Sequence, residues 1–371
     1  MLKIRQRLFG APKRMENNVL KIALLEIGNS HEECLLTQMV ALKSAGAHLT
    51  FICTQEMKDR NPHFAPYIDV FEIIAFTHTA LGDFKLMRRV NRYMETNQIR
   101  KAILNTAQGG HIRNLCLKST QVEYIGIIHT IRKFQGSFTQ KVISRKVRKY
   151  FVLSDLLLGK ITLPKGIRIR SFYPLIHPHF GQPLEKDPSE TWITLVGGVE
   201  NRKKDLAGFA DLVLQVKDQS VRFIFLGKSD PSSTEILAFK QQLAERGLSG
   251  KVVFFDTFIS PERFDAYLAH TDFILPLIHP GTASAEQNIS CQISGAFNLA
   301  FGYRIPLLMH RAYADLTDFK LASCFYEIRD FRESLAQALE QRINVAQQIA
   351  TVPKWQVDYQ QQQFLDFVLD R

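Results

Sequence analysis

One recurring order restricts this chain more than any other feature: a short apolar run, a turn, a helix-spaced stretch, then another apolar run. Leu20 to Leu25 (LKIALL) opens it. Glu26 to Ser30 makes a turn, and His31 to Ser44 sets Cys34, Leu35, Met39 and Leu42 at helical spacing. Ala45-Gly46 closes that helix, and His48 to Cys53 is the next apolar run. Runs this short read as buried strands, and strand-helix-strand is a βαβ unit that packs right-handed in a parallel sheet. Further strands are predicted at Val70 to Ala75, Lys101 to Asn105, Tyr124 to His129 and Tyr150 to Ser154, with a helix over Phe84 to Asn97.

Proline interrupts the pattern. Arg170 to Pro183 carries three prolines and reads as an interdomain connection. The order then restarts. Strands are predicted at Thr191 to Val196, Val221 to Leu226, Val252 to Phe255, Asp272 to Pro276 and Ile305 to Met309. Helices fall between them at Leu206 to Val216, Glu235 to Arg246, from Pro261 onward, and Cys291 to Phe301. Asp205 and Ser260 are the expected N-caps. The predicted fold is α/β, with two Rossmann-like doubly wound domains facing a cleft. The expected division is a basic tail at 1–18, a first domain at 19–175, a linker at 176–190, a second domain at 191–353 and a terminal helix at 354–371.

Length and composition agree with this division. The 371 residues are 46% hydrophobic and 22% charged, enough for two cores. No apolar run approaches the ~18–20 residues of a membrane span. The segment 1–18 is basic but lacks the apolar centre of a secretory signal. Cys34, Cys53, Cys116, Cys291 and Cys324 are scattered, which fits reduced thiols in a cytoplasmic protein and no zinc site.

The net charge of +11 is unevenly divided, with +15 on residues 1–185 and −4 on residues 186–371. That asymmetry points the first half at an anionic partner. Arg132 to Lys149 is the densest stretch. It reads equally as a solvated helix face or as a patch for nucleic acid or an anionic membrane surface. No nucleic-acid-binding motif accompanies it, so nucleic acid is the weaker expectation.

Ligands of doubly wound sheets bind beyond the carboxyl ends of the strands. That rule selects Gly197-Gly198 with Arg202, Lys203 and Lys204 close behind. Paired glycines let the backbone approach a ligand, and cations near a helix start suit a diphosphate. Lys228 follows the next strand. Leu277 to Ser294 is a long polar connection. Glu286 in it could accept from a ribose or sugar, and the backbone at Ser294 and Gly295 could face a phosphate. In the first half, Gly28 lies in the first βα turn, and His129 ends a strand toward the cleft. Asp-x-Asp, Gly-x-x-x-x-Gly-Lys-Ser/Thr and Gly-x-Ser-x-Gly are all absent from the sequence. His177-Pro-His179 reads as linker rather than a metal site.

At these residues the chain resembles the GT-B glycosyltransferases, in particular the retaining group called family four. LKIALLEIGNSHEECLLTQMVALKSAGAHLTFICT is similar to the family's opening unit. GIIHT resembles its histidine-bearing strand, TWITLVGGVENRKKDLAGFADLV the start of its donor domain, and VVFFDTFISPERFDAYLAHTDFILPL its base-contacting turn and helix. AFNLAFGYRIPLLMH resembles the segment that follows. KWQVDYQQQQFLDFVLDR looks like the terminal helix that crosses back to the first domain.

The resemblance implies an acceptor-binding first domain and a second domain that binds a nucleotide-sugar such as a UDP-sugar. It implies metal-independent transfer that retains configuration, with the nucleotide-sugar as donor substrate and no cofactor. By it, His129 contacts the sugar, Arg202 and Lys203 bind the diphosphate, and Gly28, Gly197, Gly198, Lys228, Phe258, Ile259, Glu286, Ser294 and Gly295 complete the donor site. The acceptor would be a glycan, lipid-linked or protein group of the kind used in polysaccharide biosynthesis. The expected location is cytoplasmic, at the inner face of a membrane. The family usually has a second glutamate where this chain has Ser294. That departure leaves a second reading, a non-catalytic GT-B-like partner or glycan-binding protein.

Overall fold

A computed structural model describes residues 19–371; the tail expected at 1–18 lies outside the described residues. The first sheet contains β1 (Lys21–Glu26), β2 (His48–Thr54), β3 (Val70–Ile74), β4 (Lys101–Leu104), β5 (Glu123–Ile127), β6 (Lys149–Val152) and β7 (Arg168–Ser171). The second contains β8 (Thr191–Val196), β9 (Val221–Lys228), β10 (Val252–Phe255), β11 (Phe273–Ile274), β12 (Leu307–His310) and β13 (Ser323–Tyr326). The strand orders are 3-2-1-4-5-6-7 and 10-9-8-11-12-13, and every pairing is parallel. The chain therefore forms two doubly wound domains.

Each sheet is covered on both faces. Ile22, Ala23 and Leu24 are fully buried although they point to alternate sides, which is why β1 is a continuous apolar run. One face of the first sheet packs Leu104, Tyr124 and Tyr150 against Met87 and Met94. The other packs Phe51 and Phe151 against Leu35 and Met39. The helix Val357–Leu369 joins this second face. Phe364 stacks on Phe151 at 5.2 Å and meets Phe172 at 4.9 Å. Beyond it Asp370 pairs with Lys149 at 2.5 Å and Arg168 at 2.7 Å. The two domains are also pinned through Lys354. Its ammonium pairs with Asp155 of the first domain at 3.0 Å and with the buried Asp318 of the second. Asp318 also accepts from Ser154 at 2.9 Å and Tyr173 at 2.8 Å.

Three sequence expectations need correction. Arg170 belongs to β7, not to the proline-rich connection, because Arg168–Ser171 pairs with β6 as an edge strand whose side chains alternate between solvent and sheet. His129 stands two residues past the end of β5 rather than in it. The helix expected from Cys291 starts at Gly295, with Ser294 as its cap, because Glu286–Cys291 winds as a separate π-helical turn. The helices Gln55–Arg60 and Gly110–Cys116, the strand β13 and the long helix Phe331–Thr351 were not anticipated.

The strand order reverses between β1 and β4 and again between β8 and β11. Loops at a reversal part in opposite directions and leave a crevice. The two crevices face each other, so the turns after β1, β4, β8 and β11 are where chemistry is expected.

Candidate functional site

A cleft of about 630 Å³ occupies that place, walled by turns from both domains. The turn after β8 forms one wall. Gly197 has φ 86°, a left-handed conformation that favours glycine. Gly227 lies directly against it: a Cβ there would come within 2.4 Å of the Gly197 carbonyl. Lys204 runs beneath this turn and donates to the carbonyl oxygens of Gly198 at 2.9 Å and Gly197 at 3.3 Å. Its side chain is buried. Burial and the neighbouring Lys203 ammonium push its pKa down to about 7, against the opposing pull of Glu200.

Lys203 is half-exposed in the cleft and pairs with Glu200 at 2.9 Å. Glu200 also meets Arg202 at 3.2 Å. Burial disfavours the Glu200 carboxylate, but its bonds to Lys203 and Arg202 outweigh that and lower its pKa. The turn is anchored from behind. Asp205 caps the helix Leu206–Gln215 and meets His279 Nδ1 at 2.7 Å, while His279 Nε2 meets the Tyr326 hydroxyl at 2.8 Å.

Lys228, Phe258, Ile259, Ser294 and Gly295 line the same cleft, as do Gly197 and Gly198. Phe258 stands 63% exposed, an aromatic face available for stacking. Ser294 accepts from the Ala296 amide at 3.3 Å and so directs the positive end of the helix Gly295–Tyr303 at the cleft.

On the opposite wall His129 is buried. Its Nε2–H donates to the Asn105 carbonyl at 2.7 Å, which leaves Nδ1 as an acceptor. Burial first, and then the charge of His31, push its pKa down to about 3, so the ring stays neutral. The His31 ring stacks on it with centroids 3.5 Å apart. The buried carboxylate of Glu26 organises this corner. It accepts from Gly28 at 2.7 Å, Asn105 at 2.8 Å and Thr106 at 2.7 Å.

Three expected residues do not line this cleft. Gly28 is occupied with Glu26, and the following His31, Glu32 and Glu33 face the space instead. Arg202 and Glu286 border a neighbouring hollow of about 810 Å³, together with Arg132 and Lys133. Glu286 there pairs with Arg132 across the domains at 3.0 Å. The π-helical turn is the cause: it carries Glu286 outward and sets Asn288 and Gln292 in the cleft.

Other cleft residues were not singled out by the sequence rule. The buried atoms Arg60 Nε, His63 Nδ1, Gln108 Oε1, His177 Nε2 and Asn298 Oδ1 have no hydrogen-bond partner in the protein, and all five residues line the cleft. Buried polar groups are nearly always paired, so these are groups that a polar ligand can satisfy. His177, read as linker, lies flat on Tyr303 with centroids 5.3 Å apart. Applying the strand-end rule to the first half would have found His31, Glu33 and Gln108.

No family model and no curated protein matches the sequence. Solved structures do match. A glycosyltransferase from Rickettsia africae superposes with a TM-score of 0.65 at 9% identity, over 95% of this chain and 98% of that one. The Anabaena protein HepE in complex with UDP gives 0.66 at 12% identity, over 95% and 100%. The UDP-GlcNAc 2-epimerase of Neisseria meningitidis, bound to UDP-GlcNAc, gives 0.61 at 10% identity, over 95% and 100%. The shared architecture is the GT-B fold, two Rossmann-like domains about a cleft.

Proposed function

We propose that this chain is a nucleotide-sugar enzyme that transfers a glycosyl group from a UDP-sugar to a hydroxyl acceptor. One observation carries the reading: the glycine turn at Gly197-Gly198, with Lys203 beside it and Lys204 beneath it, forms one wall of a cleft whose other wall holds His129 and His31. Neighbouring structures solved with UDP or a UDP-sugar bound support the choice of donor.

In this reading Lys203 and Lys228 take the diphosphate. As the sugar–phosphate bond breaks, negative charge grows on the leaving group, and these ammonium groups with the start of the helix Gly295–Tyr303 offset it. Side-chain cations supply the countercharge that a divalent ion supplies elsewhere, which is the metal-independent reading. Phe258 and Ile259 take the base. His129, neutral and fixed, accepts a hydrogen bond from a sugar hydroxyl through Nδ1.

The acceptor meets the basic first domain. Lys133, Lys141 and Arg145 are exposed there, and Phe138 projects among them at 73% exposure. This combination suits an anionic membrane surface or a lipid-linked acceptor. No helix among the described residues is long and apolar enough to cross a membrane.

Calorimetric titration with UDP tests the donor site. UDP should bind the wild-type protein, and Lys203→Ala should weaken binding by about 10-fold or more, the loss of one charge-assisted contact. A panel of nucleoside diphosphates that all fail to bind would sink the reading. The likeness to 2-epimerases favours a second reading, epimerisation of the donor sugar. NMR of UDP-GlcNAc incubated without acceptor separates the two, since only an epimerase yields the UDP-linked C2 epimer.

A further inference from the structure

The hollow beside the cleft is left unused by the donor site. It holds about 810 Å³, and its walls come from both domains. The first domain supplies Arg132, Lys133 and Ser137, and the second supplies Arg202, Glu286 and Gln287. Three cations thus face a single carboxylate, an excess of two positive charges. A concave surface lined by one sign of charge concentrates ligands of the other.

These cations are only partly committed. Among the described residues Arg132 uses Nη2 alone, which donates to Glu286 at 3.0 Å and to the Cys291 sulfur at 2.9 Å. Arg202 also uses Nη2 alone, toward Glu200 at 3.2 Å, and Glu200 is shared with Lys203. Lys133 is exposed and has no ion-pair partner among the described residues. A guanidinium carries five donors in a planar fork, so Nε and Nη1 of both arginines remain for a carboxylate or phosphate. The carboxylate already present is displaceable. Arg132 and Glu286 keep 60% and 72% of their side chains exposed, and exposed pairs of this kind contribute little. Glu286 holds Arg132 where the anion of a ligand would.

Position says what such an anion is attached to. Thr130 and Gln292 line both the hollow and the cleft, and the Thr130 hydroxyl donates to Gln292 Oε1 at 3.2 Å. That bond is the threshold between the two spaces. Thr130 follows His129 directly, so the hollow opens on the wall of the cleft that faces the glycine turn. The π-helical turn that carries Glu286 is braced there from the first domain, since Lys160 donates to the Ile289 carbonyl at 2.6 Å. Gly197, Lys203, Lys228 and Phe258 line the cleft and not the hollow. The nucleotide is therefore accounted for elsewhere, and a group in the hollow belongs to the molecule that enters on the His129 side.

We propose that the acceptor is an anionic sugar, and that Arg132, Lys133 and Arg202 hold its carboxylate or phosphate in this hollow while the rest of it reaches the cleft past Thr130 and Gln292. The proposal rests on the transferase reading above and names the chemistry of its second substrate. Arg132 exchanges Glu286 for the incoming anion, Lys133 adds an unpaired ammonium from the first domain, and Arg202 closes on the anion from the second. Because the cations come from both domains, an acceptor held this way bridges them.

The test is calorimetric titration of the full chain, saturated with UDP, by glucuronate, glucose 6-phosphate, glucose and inorganic phosphate. At least one charged sugar should bind about 10-fold or more tightly than glucose, the gain from a hydrogen bond to a charged group. Binding of glucuronate alone supports an acidic-sugar acceptor, and binding of glucose 6-phosphate alone supports a phosphorylated one. Lys133→Ala should weaken the charged sugar by about 10-fold and leave UDP affinity unchanged. Glu286→Gln should tighten the charged sugar by about 2- to 5-fold, because it frees Arg132, and misfolding cannot produce a gain. Glucose binding as tightly as the charged sugars, or no binding of either charged sugar, overturns the proposal. Inorganic phosphate binding as tightly as glucose 6-phosphate overturns the acceptor role, since the hollow would then read the anion alone. Failure to bind UDP overturns the donor reading instead, and the same titrations without UDP still decide whether the hollow is a site.

Discussion

The ammonium of Lys204 lies 2.9 Å from the carbonyl oxygen of Gly198, the residue at which the glycine turn meets the cleft. With its pKa pushed down to about 7, Lys204 is half-charged near neutrality. A diphosphate above the turn would favour the charged form. UDP binding should therefore take up protons around pH 8, and affinity should fall as pH rises above about 7. Calorimetry in buffers of different ionisation enthalpy reads the proton uptake directly. Lys204→Met should abolish it.

The same residue links pH to stability. In the unfolded chain a lysine titrates near 10.4, well above the folded value. Between these values the unfolded state binds more protons, so the contribution of Lys204 to stability rises with pH from about 7 to about 10. Lys204→Met, which keeps the length of the stem, should raise Tm at pH 6 and lose that advantage by pH 10. Thermal melts across this range check the sign.

Glu200 competes with any anion for Lys203. Its carboxylate pairs with Lys203 at 2.9 Å and Arg202 at 3.2 Å on a half-exposed surface. Exposed pairs of this kind contribute about 0.2–1 kcal/mol. Glu200→Gln should tighten UDP by about 2- to 5-fold with little change in Tm. Weaker binding would show that Glu200 instead positions Lys203.

Gly227 should be intolerant of any side chain. Its Cβ would meet the Gly197 backbone at 2.4 Å, and backbone cannot rotate aside. Gly227→Ala should cost about 1–3 kcal/mol, as overpacking does elsewhere, and should shift the turn enough to lose UDP binding. Circular dichroism melts and titration together report both effects.

On the proposed reading Phe258 serves base recognition and Phe138 serves surface attachment, and two variants separate them. Phe258→Ala should weaken UDP by about 5- to 150-fold, the range for losing one base–aromatic stack, while leaving pyrophosphate binding unchanged. Phe138→Ser with Lys141→Glu should spare UDP binding and abolish co-sedimentation with phosphatidylglycerol vesicles. The wild-type interaction should weaken as salt is raised.

The doubly wound architecture was legible because strands buried on both faces must be continuous apolar runs, as β1, β8 and β9 are. The misses have the opposite cause. β7 alternates Arg168, Ile169, Arg170 and Ser171 at a sheet edge and reads as connection. The lining of the cleft was legible where a backbone demand leaves a residue signature, as with Gly197 and Gly198. It was not legible where geometry alone decides. Arg202, Lys203 and Lys204 are adjacent and alike in charge, yet one borders the outer hollow, one faces the cleft and one is buried beneath the turn. Glu286 was displaced by a π-helical turn that no spacing rule detects, and His31 adopts a left-handed conformation that its residue type does not announce.

The helix Val357–Leu369 lays Phe364 and Phe367 over Phe151 at 5.2 and 4.8 Å. During synthesis this reverses the usual order of maturation. The second domain has all its strands by Tyr326, while the first, made earlier, still waits for a piece of its own core. A nascent chain paused between Trp355 and Phe364 would present Phe151 and Phe172 to solvent beside a second domain whose core helix, Phe331–Thr351, is already made. Chaperones that hold open aromatic surface would find their substrate there, and a ribosome stalled short of Phe364 would release a product with one sound domain and one marked for proteolysis.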